Sequence, residues 1–114
     1  MSGTPQAADQ MPAAEVVSLT ALVSYQEGAV VSRTLVKRQT GTVTVFAFDA
    51  GQGLSEHTAA FDALVQILDG KAEISIAGKP FVLETGQAIL LPANQPHGVT
   101  ALTRFKMLLT MIRS

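Results

Sequence analysis

From Glu27-Gly28 onward the chain is broken by turn residues at short intervals: Thr40-Gly41, Gly51-Gln52-Gly53, Asp69-Gly70, Gly78-Lys79-Pro80, Thr85-Gly86, Pro92 and Pro96. Gly reaches backbone conformations that other residues resist, and Pro fixes φ and removes a donor, so both end regular elements. What lies between the breaks is short and rich in Val, Ile, Thr and Phe: AVVSRTLVK, TVTVFAFD, AEISIAG, FVLE, AILLP and RFKMLLTMI. Such residues suit a pleated surface. Short strands at this spacing predict an all-β sandwich or barrel. A chain of 114 residues makes one domain and can bury a core without staples. The Ala/Pro/Gln-rich residues 1–14 read as a flexible lead-in, which leaves 15–114 for the barrel.

Strand faces add detail. In KAEISIAG, Ala72, Ile74 and Ala77 are apolar and Glu73 and Ser75 polar, roughly the alternation of a half-exposed strand. TVTVFAFD differs: Val43, Val45 and Ala47 share one face, Phe46 and Phe48 the other. In RFKMLLTMI, Phe105, Met107, Leu109 and Met111 oppose Leu108 and Ile112. Strands apolar on both faces need cover on both sides. The barrel interior supplies one cover. A second barrel in a homodimer supplies the other, or else the segment before residue 30 folds over its own barrel. The phenylalanines and methionines of these strands read as core or interface.

Charge and cysteine content exclude several function classes. Net charge is -1 and no Lys/Arg cluster stands out, so no nucleic-acid partner is expected. With no Cys there is no disulfide, thiolate zinc site or Cys nucleophile. No apolar run approaches the ~20 residues of a membrane span. The N-terminal stretch lacks the basic and apolar regions of a signal peptide, so a cytoplasmic location is the default expectation.

One stretch resists local reading: SEHTAAFDALVQILDG, residues 55–70. Ala59, Ala60, Ala63, Leu64, Ile67 and Leu68 recur at helical spacing, and Ala, Leu and Gln favour helix. The alternative is a turn near Ala60–Asp62 and a strand from Ala63 to Leu68, stopped by Asp69-Gly70. Propensity is a weak prior, so the wider pattern decides.

Two spacings supply that pattern. Gly51 is followed by five residues and His57; Ala59 and Ala63 follow, and Gly70 closes the run. Gly86 is followed by five residues and Pro92; Asn94, His97 and Ala101 follow. In order and spacing these resemble the two motifs of the cupins, small jelly-roll β-barrels (double-stranded β-helices). The first cupin motif carries His at the positions of His57 and Ala59 and Glu at that of Ala63. The second carries Gly at the position of Asn94, His at that of His97 and Asn at that of Ala101. The resemblance implies a single-domain cupin barrel, with Ala63–Leu68 a strand despite its helical periodicity.

It also implies a dismantled metal site. The family's site uses three His and one Glu inside the barrel, a set suited to transition metals. Here His57 and His97 remain, while Ala59 and Ala63 stand at lost ligand positions. Of the neighbouring candidates, Glu56 and Gln66 point to the opposite face on regular strands. Asp62 reads as a turn residue whose carboxylate caps backbone amides. Any divalent transition metal is then held by His57 and His97 plus water or an exogenous group, and so weakly, since working sites supply about three protein ligands. The two alanines also empty volume, giving an apolar pocket with Ala59, Ala63, Val65, Ile67, Phe46 or Phe48, and Met107. A pocket with few polar groups is the usual form of a small-molecule site.

Two functions follow. One is a non-catalytic binding or sensing module for a small organic ligand. The other is a cupin enzyme, either metal-dependent (oxygenase or isomerase type) or a metal-free acid/base catalyst, using His57 and His97.

Overall fold

The computed structural model describes residues 10–113. Residues 1–9, most of the expected lead-in, lie outside the described residues. A 3-10 turn at Leu19–Ala21 precedes nine strands: β1 Val30–Arg38, β2 Gly41–Phe48, β3 Gly53–His57, β4 Asp62–Asp69, β5 Lys71–Ile76, β6 Lys79–Glu84, β7 Ala88–Leu91, β8 His97–Ala101 and β9 Phe105–Ile112. They form two antiparallel sheets, ordered β1-β2-β9-β4-β7 and β3-β8-β5-β6. The two sheets make a jelly-roll β-barrel. Among the described residues no helix is long and apolar enough to cross a membrane.

The ambiguous stretch is a strand. Residues 62–69 form β4, which pairs with β7 on one side and β9 on the other. Its apolar residues fall on both faces because both faces are covered. Ala63, Val65 and Ile67 point inward and are buried, while Leu68 packs on the outside of the sheet. The helical periodicity is therefore two strand faces superimposed. At the β4–β5 turn, Gly70 has φ +87°, and a Cβ there would run into the Arg104 carbonyl, so the tight hairpin requires glycine.

Between the sheets the core centres on Phe48, Phe105, Ile67, Ile74 and Met107. The rings of Phe48 and Phe105 stack at 4.5 Å, closing the barrel at the end away from the histidines. This face of β2 and β9 is the one containing Phe46, Phe48, Phe105 and Met107.

The opposite face is covered from within the chain. Val23, Leu35, Val45 and Ala47 form a second buried cluster, and Met11, Leu19, Leu22 and Tyr25 pack against it. Residues 11–25 are thus a strap across the outside of the five-stranded sheet. Docking begins before the expected boundary at residue 15, because Met11 donates its backbone N–H to the Leu35 carbonyl at 3.0 Å. The apolar area that argued for a second barrel is filled largely by this strap.

The strap is latched at its C-terminal end. Tyr25 donates its hydroxyl to Asp69 at 2.5 Å, and Arg104 and Lys106 lie over its ring. Lys106 also donates to the Thr20 carbonyl, and Arg104 pairs with Asp49 at 2.8 Å. Arg104 holds the Asp49 carboxyl below its usual range, helped by the Gly28 amide. Burial, then the hydrogen bond to Asp69 and its charge, push the Tyr25 phenol well above its ordinary value, with Arg104 opposing.

A raised phenol pKa favours the folded state while Tyr25 is neutral. Its contribution is complete below the unfolded value of about 10 and is lost as pH rises beyond it toward the folded value. Tyr25 is the only tyrosine and there is no Trp, so phenolate absorbance reads this latch directly. The native protein should titrate well above a free tyrosine, and Tyr25→Phe should flatten the alkaline loss of stability. A titration at the ordinary value would mean the strap is not docked. Leu35→Ala, at a site 1% exposed beneath the strap, should cost about 2–5 kcal/mol in denaturant unfolding.

Candidate functional site

The two histidines sit directly opposite each other across the β3–β8 pair, at the end of one strand and the start of the other. A bulge aims the first. Leu54 faces Val99 and His57 faces His97, so β3 spends one more residue than β8 between those pairs. On a regular strand Leu54 and His57 would point to opposite faces. The extra residue turns both into the same cavity, the known effect of a bulge on side-chain direction. His97, Val99 and Ala101 alternate inward along β8, all buried.

The rings touch. Their centroids are 4.5 Å apart with planes at 64°, an edge-to-face contact. His97 is 8% exposed and lies underneath, while His57 is exposed at the rim. Each ring is pinned by its own backbone: His57 Nδ1 lies 2.9 Å from the Ser55 carbonyl and His97 Nδ1 3.2 Å from the Gln95 carbonyl. A carbonyl oxygen only accepts, so each Nδ1 carries the proton and donates. In the neutral rings both Nε2 atoms are then lone-pair acceptors.

The histidines form the polar mouth of an otherwise apolar cavity of about 60 Å³. Ala59, Ala63, Val65 and Met107 line it, as do Leu54, Leu91, Val99, Leu109 and Met111. Ile67 points the same way but lies outside the lining, deeper in the core. Phe46 and Phe48 also stay out of it, committed to packing farther down the barrel. The sequence reading missed Leu54, because the bulge leaves no compositional trace. It also left out Leu109 and Met111, although alternation from Met107 along β9 puts them on the same face.

The loops around the mouth are tied together. Asp62 accepts the Ala93 N–H at 2.8 Å, so its carboxylate caps a backbone amide. Asn94 donates its N–H to the Ala59 carbonyl at 2.7 Å and has φ 65°, a left-handed conformation that Asn tolerates better than most residues. That explains Asn where the motif has Gly.

A four-ligand divalent site does not fit these residues. Among the described residues no group of three or more His, Cys, Asp or Glu could hold a metal. Glu56 and Gln66 are exposed, and Asp62 is engaged with Ala93. What remains is two imidazoles over an apolar floor.

Comparison with known proteins agrees with this architecture. The family model described as a cupin domain matches residues 44–112. A conserved Streptococcus pyogenes protein of unknown function is similar over 92% of each chain, with 39% identity and a TM-score of 0.87. A cupin 2 conserved barrel domain protein from Leptotrichia buccalis shares 41% identity and a TM-score of 0.81, over 82% of this chain and 46% of its own. A cupin superfamily protein from Desulfitobacterium hafniense shares 27% identity and a TM-score of 0.86, over 92% of this chain and 96% of its own. No functionally curated protein matches. With the family model spanning well over half its length and both motif histidines on one cavity, this chain belongs to the cupin family.

Proposed function

We propose that this cupin is a binding module that holds a small organic molecule between His57, His97 and the apolar floor, in a ligand-holding or sensing role without a catalytic step. The observation that carries the reading is the pair of touching imidazoles, each with Nδ1 taken by its own backbone, over a cavity of about 60 Å³. Pockets for drug-sized ligands run to about 300–1,000 Å³, so this one suits only a few heavy atoms. Two Nε2 acceptors at one end and alkyl groups at the other favour a small, uncharged, mostly apolar molecule with a hydroxyl or N–H donor. Binding is preferred to catalysis because the two imidazoles are the sole titratable groups lining the cavity among the described residues. No further polar side chain there holds a reacting group.

A fragment screen by amide NMR tests this. Small alcohols and amides should perturb residues of the cavity, with Val99 and Leu109 amides as reporters. The double change His57→Ala with His97→Ala should weaken binding about tenfold or more. Ala63→Leu should block binding sterically while leaving the fold intact, because the added methyls enter existing space. His57→Ala alone should change stability by no more than about 0.5 kcal/mol, as expected for an exposed site. Fragments that bind the His and Leu variants as well as the parent would contradict the proposal. Long-range nitrogen-15 spectra of the neutral rings should show the proton on Nδ1 in both histidines.

Self-association belongs to the same proposal. Leu90 and Ile112 are 54% and 57% exposed on the outer face of the five-stranded sheet, beyond the strap. Pairing of two barrels there would cover them. Light scattering at micromolar concentration should report a dimer, and a monomer would refute it.

A further inference from the structure

We infer that the open seam between the free edges of β6 and β7 is the contact surface for a second copy of this chain, with β7 of each copy paired antiparallel about Ile89. The inference rests on the self-association proposed above and names the strand that carries it.

The outermost strands of the two sheets are β1, β7, β3 and β6. An unpaired edge is a template for another strand unless charge, proline, a bulge or a cover blunts it. β1 carries Arg33, Lys37 and Arg38 and a register shift, and its Leu35 carbonyl accepts the Met11 N–H of the strap. β3 has its bulge and Glu56. β6 contains Pro80, which has no N–H to offer, and its Glu84 N–H donates to the Gln87 side chain at 2.8 Å. β7 has none of these guards among the described residues. It reads Ala-Ile-Leu-Leu and runs in unbroken register with β4.

Main-chain direction follows from the start of that pairing. The Gln87 carbonyl accepts the Ile67 N–H at 2.9 Å. Alternation then turns the main-chain groups of Ile89 and Leu91 toward β4 and those of Ala88 and Leu90 outward. An antiparallel copy centred on Ile89 sets Ala88 of one chain opposite Leu90 of the other, and each such pair exchanges both N–H···O bonds. On the outer face the exposed Leu90 then lies beside a small Ala88, and the two-fold repeats the fit. On the inner face Ile89 meets Ile89. No charge lies on either strand, so nothing repels.

The rest of the seam fits the same two-fold. A groove of about 400 Å³ runs along it, lined by Phe81, Val82, Leu83, Gln87, Ala88 and Ile89. Val82 is 53% exposed there. The Gln87 N–H donates to the Glu84 carbonyl, which folds β6 back along β7. Counting outward from that contact brings Val82 about level with Ile89, near the axis. A two-fold reverses strand direction. The Lys79 end of β6 in one copy therefore faces the Glu84 end in the other, and opposite charges meet at both ends of the contact.

The test is the dimer dissociation constant of the full chain, from sedimentation velocity over a dilution series. Leu90→Lys, at an exposed site, should weaken the dimer about tenfold or more. Adding Ala88→Glu to it should recover about threefold or more, because the register sets each new carboxylate opposite a new ammonium. Hydrogen exchange on the parent needs no variant: the Ala88 and Leu90 amides should be protected in the dimer and lose protection on dilution. A monomeric parent would overturn this inference and the self-association with it, whether the seam stays open or takes a strand of another protein. A dimer whose Ala88 and Leu90 amides exchange freely would overturn the edge pairing alone and leave the barrels joined elsewhere. So would a dimer that the added Ala88→Glu weakens further.

Discussion

The site depends on a single extra residue in β3. Between the Leu54–Val99 and His57–His97 pairs the strand accommodates one residue more than its partner. Without it, the period-2 alternation would send His57 to the outside of the barrel while Leu54 stayed in. With it, two imidazoles meet edge to face. Each ring donates its Nδ1 proton to the carbonyl two residues back, Ser55 for His57 and Gln95 for His97, so each neutral ring keeps Nε2 as its acceptor.

Around that contact the barrel is organised as a gradient. The far end is filled by stacked Phe48 and Phe105 and sealed by buried aliphatic side chains. The near end is left open where Ala59 and Ala63 are too short to fill it. Opening a core end exposes loops to slack, and two hydrogen bonds counter this: Asp62 to Ala93 and Asn94 to Ala59. They join the first residue of β4 and the loop before it to the loop before β8. The outer face of the larger sheet is stabilised separately, by the strap and its Tyr25–Asp69 latch. The site can therefore vary without disturbing the face that the strap covers.

Much of this was legible in the chain. The two faces of 42–48 and 105–112 followed from alternation alone, because a strand's period is fixed by its pleat. The β4 segment was legible only through spacing to His57 and Gly70, since apolar residues on both faces of a strand imitate helical periodicity. The bulge was not legible: it changes register without changing composition. Nor was the split between Val65 and Ile67, which share a face and differ only in depth. The docking of Met11 was hidden by its Ala/Pro-rich neighbours, which carry no amphipathic pattern. The latch around Tyr25 joins residues far apart in the chain, Asp69, Arg104 and Lys106, and no local signal links them.

The central claim is that His57, His97, Ala59 and Ala63 line one cavity, at the four positions where the cupin motifs carry metal ligands. Restoring them tests it most directly. Calorimetric titration of the double variant Ala59→His with Ala63→Glu by Ni(II) should show one tight site, about a hundredfold or more above the parent. The same weak affinity in variant and parent, with the variant folded, would contradict the account, because the four side chains would then not converge on one point.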